Sequence, residues 1–270
     1  MANGAQDDPT QPLNYSSYLQ LDQLLALQTL RSEPAQHDEM LFIVVHQVSE
    51  LWFKEMLWEL DKIKSDFTRG SLDGAIRTFT RCRRIQEALV APLGILETMT
   101  PMSFAAFRAR LDTASGFESM QFRMLEYTLG LKNRDTLDMY PKDLPGLEQA
   151  REYFESPSLV NGFHHFLAGQ GVPIPNELLA VDVTESVPAN EVVQRGILEL
   201  YRNKGEAITL FELMLDFDQG FQEWRYRHFQ LVRRTIGDKV GTAGSLGADF
   251  LMRTLHAPVF PDLWAIRHEL

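Results

Sequence analysis

The chain has 270 residues, enough to bury a sizeable core, and at 44% hydrophobic and 23% charged it has the composition of a globular protein. Lys and Arg number 26 against 37 Asp and Glu, a net charge of −11, which argues against a nucleic-acid or anionic-membrane partner. The one cysteine, Cys82, excludes an internal disulfide framework, a Cys-ligated iron–sulfur cluster and a covalent Cys-x-x-Cys-His haem site, and points to a reducing, cytoplasmic compartment.

Residues 1–12, MANGAQDDPTQP, are acidic and lack the basic and apolar regions of a signal peptide. They read as a disordered tail ahead of one domain spanning 13–270, because no repeat, low-complexity tract or compelling boundary follows. No run reaches the roughly 18 apolar residues of a membrane span.

From Leu13 to Leu30 the pattern predicts a helix with Tyr18, Leu21, Leu24 and Leu25 on one face, Tyr15 a turn earlier, and Pro34 beyond its end. Asp38 to Phe67 is a second, long helix free of Gly and Pro. Its apolar face carries Phe42, Val45, His46, Phe53 and Met56, and Glu50 follows His46 by one turn. The expected partner of Glu50 is Lys54, four residues on. A third helix, Leu72 to Met99, buries a stripe through Phe79, Cys82, Leu89, Leu93 and Leu96 and should bend at Pro92. Its arginines spread over a solvated face.

After Pro101 the pattern gives a short helix, a turn at Ala114 to Gly116 and another helix ending at Gly130. Phe104 and Arg108 lie one turn apart there, and an Arg beside a ring can take a carboxylate bidentately or form a structural salt bridge. Lys132 to Gly146 reads as a loop, Leu147 to Leu167 as one helix, and His164 and His165 as surface or capping residues. A Pro- and Gly-containing passage precedes a helix from Glu191 to about Asn203.

A long, aromatic helix runs from Leu210 to Ile236. Leu210, Met214, Phe217, Phe221, Trp224, His228 and Leu231 share one face, and Gly237 stops it. A histidine on such a face is either satisfied by a protein hydrogen bond, the commoner case, or binds a metal as neutral imidazole. Glycines at 237, 241, 244 and 247 make the next segment a loop, without the strand and Lys-Ser/Thr of a phosphate-binding loop. Two long apolar helices far apart in sequence thus each carry one buried-face histidine, His46 and His228. Glu50 is the only other possible ligand within a turn, which poorly supports tetrahedral zinc. A haem needs one axial protein ligand and an apolar slot between helices, which these residues suit.

Four further blocks bear on that choice: Tyr-x-x-Tyr-Leu-x-Leu at Tyr15 to Leu21, HDEMLFIVVHQVSELWFK from His37, FRARLDTASGFESMQFRMLE from Phe107, and WRYRH at 224–228 followed by GTAGSLG at 241–247. In order and spacing, over nearly the whole chain from Asn14, they resemble the tryptophan 2,3-dioxygenase family. The resemblance implies an all-α, haem-b domain assembling as a homotetramer, one haem per subunit, with O2 as co-substrate and L-tryptophan cleaved at its indole C2–C3 bond to N-formylkynurenine. By the same resemblance His228 is the proximal iron ligand and His46 the distal base that receives the indole N–H. Arg108 pairs with the substrate carboxylate, Phe42 and Phe104 line the ring pocket, and Thr242 contacts the ammonium and carboxylate. Tyr15 and Tyr18 belong to an arm reaching a neighbouring subunit's pocket. The chain departs from the family pattern at Ala243, usually Gly, and Leu246, usually Ser. Those changes leave an alternative, a related haem enzyme of specialised metabolism that oxygenates a substituted tryptophan and inserts a single oxygen atom. A third reading is a haem sensor or inert helical scaffold.

Overall fold

A computed structural model of the chain describes residues 12–112, 114–203, 205–237, 251–252, 255 and 257–270. The expected tail, apart from its last residue, lies outside them. Every regular element among the described residues is helical. In order they are α1 (Tyr15–Leu19), α2 (Leu21–Leu24), α3 (His37–Thr68), α4 (Leu72–Leu96) and α5 (Pro101–Arg108), a 3-10 turn (Gly116–Glu118), and α6 (Met120–Thr128). There follow α7 (Arg134–Asp138), α8 (Leu147–Phe154), α9 (Leu159–Gly169), α10 (Asn176–Leu179), α11 (Glu191–Arg202), α12 (Ala207–Ile236), α13 (Pro261–Ala265) and a closing 3-10 turn (Ile266–Glu269). No single helix among these residues is long and apolar enough to cross a membrane.

The architecture follows from the three long helices. Helix α4 packs along both α3 and α12 and is the main partner of each. Its stripe of Phe79, Cys82, Leu89, Leu93 and Leu96 is buried as the periodicity predicts. Contact between α4 and α12 is closest at Gly220, where an added Cβ would lie 2.3 Å from Gln86 Oε1. The Gln86 amide donates across that gap to the Phe217 carbonyl at 2.9 Å. The missing side chain at Gly220 is therefore what lets the two helices meet here. Three arginines of α4, Arg77, Arg81 and Arg84, are surface charges paired to Asp73, Glu59 and Glu87, whereas Arg83 is half-buried against α12, 3.7 Å from Glu223.

A second anchor sits two residues before Gly220 on the same helix. Asp218, fully buried, accepts hydrogen bonds from the Val259 and Phe260 amides at 2.9 and 3.1 Å, from Trp264 Nε1 at 2.9 Å and from Gln222 Nε2 at 3.0 Å. It fixes the C-terminal segment to α12.

Four expectations need correction. The single helix over Leu13–Leu30 is two short ones, separated at Gln20 in the left-handed region (φ 50°). Its would-be apolar stripe is only partly covered among the described residues, with Tyr15 76%, Tyr18 72% and Leu25 71% exposed, so tertiary contacts do not sustain a longer helix. The helix expected over Leu147–Leu167 divides into α8 and α9, because Pro157 interrupts the ladder and Ser158 with Asn161 forms a capping box that starts a new helix. His165 is exposed as expected, but His164 is buried, and burial pushes its pKa down to about 4. The loop over 132–146 contains the short α7.

Asp218→Ala would leave two buried main-chain N–H donors and the part-buried Trp264 indole N–H of the C-terminal segment without an acceptor. The expected loss is about 3 kcal/mol or more of unfolding free energy, read from the denaturant midpoint. A midpoint unchanged by the substitution would show that the segment is held by packing alone.

Candidate active site

Because α3 and α12 both lean on α4 more than on each other, a cavity opens between them, closed further by α5, α6 and the segment joining those two helices. It offers about 270 Å³ to the centres of water molecules. His46 of α3 and His228 of α12 both line it, as do Phe42, Phe104 and Arg108. Five of the residues singled out in the sequence thus share one cavity. Tyr15 and Tyr18 do not line it, and Thr242, with the departures Ala243 and Leu246, lies outside the described residues.

On the α3 side the His46 ring touches that of Phe42, centroids 4.1 Å apart, and Phe42 packs in turn on Phe104 and Phe107 at 5.7 and 5.5 Å. His46 Nδ1 lies 2.7 Å from the Phe42 carbonyl oxygen one turn back. A carbonyl only accepts, so Nδ1 carries the proton and Nε2 keeps its lone pair. The ring is wetted through the cavity, yet the surrounding protein desolvates it. That burial lowers its pKa from 6.5, against smaller upward pulls from the Phe42 carbonyl and the Glu50 carboxylate. His46 is therefore a neutral hydrogen-bond acceptor at neutral pH. Arg108, partly buried at the end of α5, brings a permanent positive charge to the same cavity.

On the α12 side Trp224, one turn before His228, stacks on its imidazole with centroids 5.0 Å apart and planes 15° from parallel. Phe53 and Phe122 back the indole at 5.7 and 5.0 Å. Burial pushes the His228 pKa down to about 4, helped by the repulsion that a protonated His46 would exert and by the nearby Arg123 guanidinium. Within the described residues its ring has no side-chain hydrogen-bond partner, so the satisfied-core reading of this histidine finds no support. A neutral imidazole with no competing partner, on the wall of a mostly apolar cavity, is the donor a haem iron requires. The residues present fit that group.

Two charged groupings on the wall escaped the sequence reading. Glu126 of α6 accepts from Arg123 and Arg225, both at 2.5 Å, and all three side chains are buried. The i,i+3 spacing of Arg123 and Glu126 was the visible signal, but the partner on α12 was not. Glu50 does not pair with Lys54. It accepts instead from the Ser119 hydroxyl at 2.6 Å and the Gln121 amide at 2.8 Å.

Comparison with known proteins agrees with this geometry. The tryptophan 2,3-dioxygenase family profile matches residues 2–143 and 189–270. The chain belongs to the tryptophan 2,3-dioxygenase family. Among similar proteins, the tryptophan 2,3-dioxygenase of Anaeromyxobacter dehalogenans is 49% identical over 263 residues, covering 96% of each chain. That of Herpetosiphon aurantiacus is 47% identical over 262 residues, 97% of this chain and all of the relative. That of Bacillus anthracis is 38% identical over 273 residues, covering all of this chain and 97% of the relative. Every described cavity-lining residue falls inside the two blocks matched by the family profile, whereas α8, α9 and α10 fall between them and line none of it.

If His228 is the iron ligand, His228→Gly purified with added haem will lose most of the haem absorbance band near neutral pH, and external imidazole will restore part of it. An unchanged band in the variant would assign the iron to another residue.

Proposed function

We propose that this chain is a haem-dependent tryptophan 2,3-dioxygenase, adding both atoms of O2 across the indole C2–C3 bond of L-tryptophan to give N-formylkynurenine. The observation carrying this reading is that an acceptor imidazole and an imidazole with no side-chain hydrogen-bond partner among the described residues, from helices distant in sequence, face one cavity that also holds an arginine and an aromatic wall.

His228 would hold the iron of a haem b, one per subunit. When bound, that group supplies O2 binding and the redox chemistry. The chain's own residues orient the substrate. His46 accepts the indole N–H at Nε2, because its other nitrogen is committed to the Phe42 carbonyl. Arg108 pairs with the amino acid's carboxylate, and Thr242 is assigned the ammonium and carboxylate by family resemblance. Phe42 and Phe104 flank the ring and keep water from it. Together these contacts fix C2 and C3 toward the oxygen site, which is a positioning contribution.

The homotetramer is supported by the arm, whose Leu13, Tyr15, Tyr18, Leu25 and Leu27 are exposed in a single chain. Tyr15 and Tyr18 are assigned to the neighbouring subunit's pocket. A cytoplasmic location agrees with the one cysteine, Cys82, being buried and unbridged.

Reduced enzyme given tryptophan and 18O2 should yield N-formylkynurenine carrying two labelled atoms, read by mass spectrometry. A product with one labelled atom would overturn the dioxygenase reading. Arg108→Ala should lower kcat/KM at least about 100-fold, equivalent to ~3 kcal/mol of lost charge pairing, and an unchanged value would remove Arg108 from substrate binding. Protonation of His46 removes its acceptor, and burial lowers its pKa. Activity should therefore stay flat through neutral pH and fall only below about 6.5, so an acid limb centred above that value would exclude His46 as the acceptor.

A further inference from the structure

Glu50 is a carboxylate on the cavity wall that the reaction above does not use. The other glutamate on that wall, Glu126, is taken up by two arginines. Glu50 is held by neutral donors. One oxygen accepts from the Ser119 hydroxyl at 2.6 Å and the other from Gln121 Nε2 at 2.8 Å, and the same Gln121 amide also donates to the Glu50 main-chain carbonyl at 2.8 Å. Ser119 is at once the N-cap of α6, its oxygen accepting from the Phe122 amide at 3.3 Å. The hydroxyl is thus fully committed, donating to α3 and accepting from α6. A carboxylate at that point also complements the positive end of the α6 dipole.

Three hydrogen bonds therefore join one turn of α3, the turn after His46, to the first turn of α6. Chain that this junction terminates is cavity wall, since Ala114, Ser115, Gly116, Phe117 and Ser119 all face the cavity. On its far side the segment continues from Arg108, through the end of α5. α6 itself contributes Phe122, Arg123 and Glu126.

We propose that Glu50 is a positioning residue for the substrate pocket: through Ser119 and Gln121 it fixes the 114–119 wall and the start of α6 against the helix that carries His46. Lost in a variant, the junction frees the wall while leaving His228 and its backing rings in place. Substrate binding is then weakened more than the chemical step, because orientation between His46 and the opposite wall is what the junction maintains. This rests on the dioxygenase reading for its kinetic part only.

The test uses the haem-loaded full chain and two variants. Glu50→Gln keeps the volume and the Ser119 bond but sets an amide against the Gln121 amide. The exchange Glu50→Gln/Gln121→Glu restores a donor–acceptor pair with the roles reversed. Expected for Glu50→Gln are faster amide hydrogen exchange in the 114–121 segment and a rise of about tenfold in KM for tryptophan, with kcat within about threefold and the haem band unchanged. The exchanged pair should recover part of both effects, since the side-chain pair is restored but the bond from Gln121 to the Glu50 main-chain carbonyl is not. Hydrogen exchange is measured without turnover, so a wild type that fails to oxidise tryptophan would refute the functional reading and leave the junction tested. Unaltered exchange in the segment, a KM within twofold of wild type, or an exchanged pair no better than Glu50→Gln would each overturn the proposal.

Discussion

The packing of α4 between α3 and α12 is the constraint from which the rest follows. Two aromatic-rich helices would ordinarily close on each other, since burying their faces together is favourable. Here each finds its partner in α4, with the α12 contact made possible by the absence of a side chain at Gly220 and locked by the Gln86 amide. Apolar surface beyond that contact remains facing open space, and His46 and His228 lie on it. The cavity is thus a consequence of which helix faces are already used. Asp218, tying the C-terminal segment to α12, holds the same helix from its other side.

Within the cavity, charge is distributed by commitment of hydrogen bonds. Both imidazoles are held neutral by desolvation, one with its Nδ1 proton spent on a backbone carbonyl and the other with no partner among the described residues. The carboxylates are each satisfied, Glu126 by two guanidiniums and Glu50 by a hydroxyl and an amide. What the walls then present to an amino acid is a lone pair, a cation and ring faces, complementary to an indole N–H, a carboxylate and a flat bicycle.

Much of this was legible in the sequence. The long helices declared themselves by period, and the two histidines by standing alone on apolar faces, where a satisfied core histidine and a metal ligand both remained open. Family resemblance then joined Phe42, Phe104 and Arg108 to them, and all five meet at one cavity. The misreadings have a common cause, which is that local pattern does not register tertiary partners. Lys54 is the nearest cation to Glu50 along the helix, yet donors 69 and 71 residues away take the carboxylate. His164 sits beside the exposed His165 in sequence but turns into the core between α9 and the C-terminal helix, 4.0 Å from Asp262. The arm reads as one helix because its leucines recur at helical spacing, but among the described residues Leu19, Leu25 and Leu27 stay exposed and the chain breaks at Gln20.

The central claim is that His228 binds an iron porphyrin in this cavity while His46 stays free on the other side to meet the substrate. A crystal structure of the haem-loaded chain with tryptophan bound tests it most directly. The account predicts the iron bonded to the ring of His228 and the indole N–H within hydrogen-bonding distance of His46 Nε2. Iron bonded to His46, or to both histidines with substrate present, or haem lying outside the space between α3 and α12, would contradict it.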